Sequence, residues 1–224
     1  MFSIKEAVKY GWQKIKEHFW KLVGASACLM AIGLVSNVFS GAMEKNTSSG
    51  VGVALFIGIV AAIILSVMIR IGYTKFTLSM YDGQVLPIKS VFNAYGVFWR
   101  YIWVCILQGL IMIGGFILLI VPGIIWAIKY SFAPTIVIDT GVSASQALKE
   151  SANITDGSKW KLLGFYIVLG LLNLLGYIVI GIGILVSLPL TSLAYVYVYR
   201  TLSQKKAAVA APAPAPAPAT PVQM

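Results

Sequence analysis

The chain has 224 residues, 59% of them hydrophobic and only 11% charged, with a mean hydropathy of +0.88. A soluble domain carries about 25% charged residues, so an ordinary water-facing surface is excluded and lipid must be the solvent for much of the chain. The formal net charge of +10 does not point to nucleic acid, because the basic residues stand at the ends of apolar runs, whereas phosphate binding needs them clustered on one face.

In chain order, the first segment, residues 1–21, reads as an amphipathic helix lying in the membrane interface. Ile4, Val8, Trp12, Ile15 and Phe19 recur at helical spacing, and Lys5, Lys9, Lys14, Lys16 and Glu17 take the other face. Ser3-Ile4-Lys5-Glu6 has the capping-box pattern that starts a helix. A signal-peptide reading fits less well, since the apolar run that follows exceeds an h-region and no clear A-x-A site succeeds it.

A membrane span needs about 20 apolar residues to cross a hydrocarbon core about 30 Å thick. Six runs qualify: 22–43, 51–69, 100–121, 123–138, 162–180 and 184–200. A polar loop, Glu44 to Gly50, joins the first two, and Arg70 closes the second. Residues 73–95 are more polar and contain the Asp82-Gly83 turn signal and Pro87. Pro122-Gly123 and Gly181-Ile182-Gly183 read as tight turns, and residues 139–159 as a loop with a short helix around Ser143–Ala152. Residues 1–203 therefore form one membrane domain, and the Ala/Pro repeat within 204–224 predicts a disordered, polyproline-II-like tail. The fold class is all-α: a polytopic membrane protein of six spans in three hairpins, with amphipathic interfacial helices on the cytoplasmic side.

Charge sets the orientation. With the amino terminus inside, fifteen of the seventeen basic residues fall in cytoplasmic segments; Lys45 lies in an outside loop and Lys129 within a span. The positive-inside rule thus places both termini in the cytoplasm of a cell-membrane protein.

The chain also resembles itself. Ser3, Ala7, Lys9, Trp20, Lys21, Leu22 and Gly24 match Ser143, Ala147, Lys149, Trp160, Lys161, Leu162 and Gly164 at a constant offset of 140. A looser third copy begins before Trp99-Arg100. The pairs Trp20/Lys21, Trp99/Arg100 and Trp160/Lys161 are expected to anchor each hairpin, indole at headgroup level and cation against anionic cytoplasmic lipid.

Three polar residues inside the spans stand out. Lys129 is expensive in lipid; it either contacts a ligand or lipid phosphate, or snorkels to the nearer surface. Gln108 and Asn173 suit interhelical hydrogen bonding, or a substrate contact. Gly109, Gly114, Gly115, Gly164, Gly170 and Gly176 would permit close helix packing, and Pro134 and Pro189 would kink their helices. Cys28 and Cys105 fall in apolar runs as packing residues.

The seven acids, Glu6, Glu17, Glu44, Asp82, Asp139, Glu150 and Asp156, form no pair deep in a span, and His18 is the single histidine. No catalytic residue, metal site or cofactor is therefore expected.

The run Val121-Pro122-Gly123, Lys129 to Pro134, Ser145-x-Ala147-Leu148-Lys149-x-Ser151 and Lys159-Trp160-Lys161 is similar to the membrane domain of glycerophosphoryl diester phosphodiesterases and to related six-span bacterial membrane proteins. The similarity is best over 100–203. In the phosphodiesterases a separate soluble domain carries the catalytic residues, so the resemblance implies an anchoring or accessory module and transfers no catalytic residue. The sequence thus predicts a non-enzymatic membrane protein that anchors, scaffolds or contacts lipid, with the bilayer and its anionic headgroups as partners and a membrane or cytoplasmic protein within reach of the tail. A small-solute or lipid permease is the alternative; it requires Lys129, Gln108 and Asn173 to converge on one cavity.

Overall fold

The computed structural model describes residues 3–45, 49–84, 95–178 and 182–210. Pro87, Lys89, Gly181 and the Ala/Pro repeat lie outside them, as do the side chains of His18, Lys21 and Cys28.

Among the described residues there are eight helices and no strand. α1 spans Ile4–Lys45, α2 Ser49–Tyr81, α3 Tyr95–Leu118 and α4 Ile120–Lys129. α5 spans Ala133–Thr140, α6 Ala144–Thr155, α7 Lys159–Ile178 and α8 Ile182–Ala210.

The predicted interfacial helix and first span are one helix of 42 residues, roughly 63 Å long at 1.5 Å per residue. No proline interrupts the junction, and Gly24 alone costs a helix only about 1 kcal/mol. The buried face is also rotated from the predicted one. Ala7, Gly11, Ile15 and Leu22 turn inward, whereas Trp12, Phe19 and Trp20 face out. This inward face packs along α8, the most extensive helix contact in the protein. Gly11 permits it, because a Cβ there would stand 2.8 Å from the Leu190 carbonyl oxygen. Near the same end Tyr10 stacks between Tyr81 and Tyr197, and burial, with Tyr81 and nearby carboxylates, pushes its hydroxyl pKa up to about 12.

Two prolines set the breaks in the middle of the chain. A proline has no N–H to donate, and its ring clashes with the carbonyl four residues back, so it sits most easily in a helix's first turn. Pro122 accordingly lies in the first turn of α4, and the break falls at Leu119 (φ −172°, ψ 154°), three residues before the predicted turn. Pro134 lies in the first turn of α5, and the expected kink takes the form of a turn at Tyr130–Phe132 between α4 and α5. α5 ends at Gly141 in the left-handed region (φ +69°). Asp82-Gly83 turns as predicted, with Gly83 at φ +73°. Ser143 caps α6, its Oγ accepting from the Gln146 N–H, which is the capping-box start of the expected short helix. α2 runs on through the stretch read as polar loop to Tyr81, and α8 through Lys205 and Lys206 to Ala210.

Four segments are long and apolar enough to cross a membrane: Phe56–Tyr81, Gly96–Leu118, Ile120–Thr140 and Lys159–Ile178. Burial along them divides the molecule into two tiers. On α2 the exposed apolar residues run from Phe56 to Leu65 and the buried ones from Ile71 to Met80. On α3 Tyr101 and Val104 are buried, while Ile106, Leu110, Ile113 and Phe116 are exposed. α7 repeats this, with Leu162, Phe165 and Leu169 inside and Leu171, Leu174 and Leu175 outside. The packed tier holds the core around Phe132, Ile136, Leu162, Phe165 and Tyr199. The other tier exposes far more contiguous apolar surface than water tolerates, as lipid-facing helices do. The fold is that of an all-helical membrane protein.

Candidate functional site: a polar cavity between the tiers

A cavity of about 980 Å³ opens where the packed tier meets the apolar one. α2 lines it with Arg70, Tyr73, Thr74 and Thr77, and α3 with Tyr101, Cys105 and Gln108. Tyr166 and Asn173 enter from α7, and Thr191, Ser192 and Tyr195 from α8. Ser131 and Thr135, at the break between α4 and α5, complete its polar lining.

The break is held from both sides. Ser151 Oγ, from α6, donates to the Lys129 carbonyl (2.9 Å) and accepts from the Phe132 N–H (3.2 Å). Thr155 Oγ1 also reaches the Lys129 carbonyl (3.2 Å). From α8 the Tyr195 hydroxyl donates to the Ser131 carbonyl (2.9 Å) and lies 3.2 Å from Thr135 Oγ1. Backbone at membrane depth is tolerated in a non-helical state only when such partners satisfy it.

Most lining hydroxyls are bound within their own helices: Thr74 to the Arg70 carbonyl, Thr77 to Tyr73, and Ser192 to Leu188. Three buried polar atoms are not. Asn173 Oδ1 and the Tyr73 and Tyr166 hydroxyls have no hydrogen-bond partner within 3.5 Å, although the hydroxyls of Ser192 and Ser131 still act on the two tyrosines. An unpaired buried polar group costs about 1–3 kcal/mol, so three around one cavity mark a place that water or a polar ligand fills.

Of the three predicted intramembrane contacts, Gln108 and Asn173 line this cavity and Lys129 does not. Lys129 ends α4 with its Nζ 5.4 Å from the Tyr130 ring centroid. Its carbonyl, not its ammonium, is what α6 binds. Arg70 takes the place expected of Lys129. The sequence places it at the end of a span, but α2 continues eleven residues past it. The missed signal was a polar stripe at helical spacing, Ser66, Arg70, Tyr73, Thr74 and Thr77. The glycines divide likewise. Gly115 crosses Gly123 closely, and Gly176 crosses Gly183 and Ser187, whereas Gly109, Gly114 and Gly170 meet nothing within 4 Å. Gly109 and Gly170 belong to the cavity wall.

The tryptophans expected as anchors are exposed. Trp20 and Trp160 are each 83% exposed and Trp99 69%. Arg100 donates to the Gly141 carbonyl, and Lys161 is exposed beside Trp160. At the same end of the packed tier Arg200 clasps Asp139 (2.7 Å) and Asp82 (2.6 Å), and Tyr199 donates to Asp139 (2.9 Å). Among the described residues no group of three or more His, Cys, Asp or Glu could hold a metal ion.

No protein-family model matches the chain, and no solved structure does. It is similar to an uncharacterised protein of Mycobacterium bovis and one of Mycobacterium tuberculosis, 24% identical to each over 173 residues, or 67% of this chain. The chain spans about half the length of these curated relatives, 53% of each.

Proposed function

We propose that the chain is a non-enzymatic integral membrane protein of the cell membrane that holds a lipid or other amphipathic molecule between its helices. In this reading it has six spans in three hairpins, the termini lie in the cytoplasm, and the Trp-and-cation pairs rest at the cytoplasmic headgroups. The carrying observation is the cavity with its three unpartnered buried polar atoms. It offers hydroxyl and amide groups to bind a ligand, and among the described residues its lining contains no carboxylate or histidine to act as a base. Its position between tiers gives a ligand's polar part a wet site and its apolar part a route to lipid. In this reading the chain is related to phosphodiesterase membrane domains, which fits an accessory role of this kind.

A permease is a second reading: two of the three residues it requires, Gln108 and Asn173, converge on the cavity beside a broken helix, a common feature of transport sites, while Lys129 does not. The test is native mass spectrometry of the full chain from mild detergent, followed by reconstitution. A lipid that stays bound, with no movement of labelled lipid or solute between leaflets or compartments, is expected. Ligand-free protein at every detergent concentration overturns the proposal; flux in proteoliposomes moves the reading to the permease.

A further inference from the structure

Arg70 is the one charged residue among those lining the cavity. It lies within the apolar segment Phe56–Tyr81, eleven residues or roughly 17 Å of helix from Tyr81. Its charge is within electrostatic reach of Tyr101 and Cys105 on α3. Among the described residues no acid lines the cavity, and four carboxylates are held elsewhere: Asp82 and Asp139 by Arg200, Glu17 by Lys14, and Asp156 by Lys159. A cation in an apolar segment needs a counter-charge or water, and this one faces a cavity that also presents unpartnered tyrosine hydroxyls. A guanidinium is a planar fork of donors that fits phosphate oxygens two at a time.

We infer that the cavity binds a phosphate-bearing anion, with Arg70 on the phosphate and Tyr73 and Tyr166 on the neighbouring oxygens. This rests on the binding function proposed above and names the ligand class of the same site. A phospholipid headgroup and a free phosphate present the same chemistry, and the experiment separates them.

Cys105 lines the cavity and becomes the sole thiol once Cys28 is replaced by serine. Its alkylation rate by N-ethylmaleimide, in the full chain in uncharged detergent, reports occupancy. The probes are dihexanoyl phosphatidic acid, inorganic phosphate and the uncharged dihexanoylglycerol. Phosphatidic acid is expected to slow alkylation, with its half-protecting concentration raised about tenfold or more by Arg70→Ala, as loss of a charge-assisted hydrogen bond predicts, and less by Arg70→Lys. Protection by inorganic phosphate with the same dependence on Arg70 identifies a free anion; protection by phosphatidic acid alone identifies a headgroup. Gly109→Leu, a position with open space around its Cβ, fills the cavity and should slow alkylation without any ligand. It also provides a variant whose folding does not depend on the charge. Equal protection by dihexanoylglycerol, or protection unchanged in Arg70→Ala, overturns the anion and leaves the cavity reading standing. If no probe protects, the anion is overturned; if Gly109→Leu also changes nothing, the cavity reading falls with it.

Discussion

Pro189 lacks an N–H, so the Leu185 carbonyl one turn back has no intrahelical donor. Ser26 Oγ, fully buried on α1, lies 3.1 Å from that oxygen and 3.0 Å from its own helix's Val23 carbonyl. At the other proline break Ser151 donates to the Lys129 carbonyl. Ser26→Ala and Ser151→Ala should each cost about 1–3 kcal/mol, the penalty for an orphaned buried carbonyl, read as a lower midpoint of unfolding in detergent. Lys129→Met should cost under about 1 kcal/mol, because only an outlying cation–π contact is lost, and it should leave Cys105 protection unchanged. Arg200→Ala removes the partner of two carboxylates at once. Its cost of about 3 kcal/mol should exceed that of Asp82→Asn, since Asp82 is 40% exposed and water takes over its solvation.

At the scale of elements, α1 and the α6–α7 pair show what one pattern becomes in two settings. Ser3 and Ser143 both immediately precede a helix, Ala7 and Ala147 are fully buried, as are Leu22 and Leu162, and Trp20 and Trp160 are equally exposed. The repeat was legible because interface chemistry and burial select residue types position by position. The break between α6 and α7 comes from Asp156-Gly157-Ser158, where Gly157 takes φ +74°; Lys16-Glu17-His18 at the matching place has no such residue, and α1 runs on. Contact with α8 then decides which of α1's faces is inside. Gly11→Leu should therefore separate α1 from α8 and cost about 1–3 kcal/mol by overpacking. Gly24→Leu, with nothing within 4 Å of its Cβ, should be close to neutral in the same melting assay.

For the whole molecule, the packed tier carries the ion network and the splayed tier carries the apolar surface that lipid must cover. The charge asymmetry predicts that reporter fusions placed after Lys45 and after Ala210 report opposite sides of the membrane. The same side for both would remove the orientation with cytoplasmic termini. Dilution out of detergent without lipid should aggregate the chain, followed by light scattering, because residues such as Ile117, Leu118 and Ile120 are 80%, 68% and 70% exposed.

Composition, apolar run length and charge placement were sufficient to establish a helical membrane protein, its turn at Asp82-Gly83, its capped short helix near Ser143 and two of the polar residues of its cavity. Those properties depend on transfer of single segments between water and lipid, which a segment's own residues determine. Helix continuity through Trp20–Gly24, the turn before Pro134 and the exchange of Lys129 for Arg70 depended on tertiary contact. How far a proline bends a helix depends on what lies opposite the freed backbone groups, and here Ser151 lies twenty-two residues from the Lys129 whose carbonyl it binds. Whether a cation snorkels or lines a cavity depends on which helices surround it. That depends on partners distant in sequence, and only the packed structure brings them together.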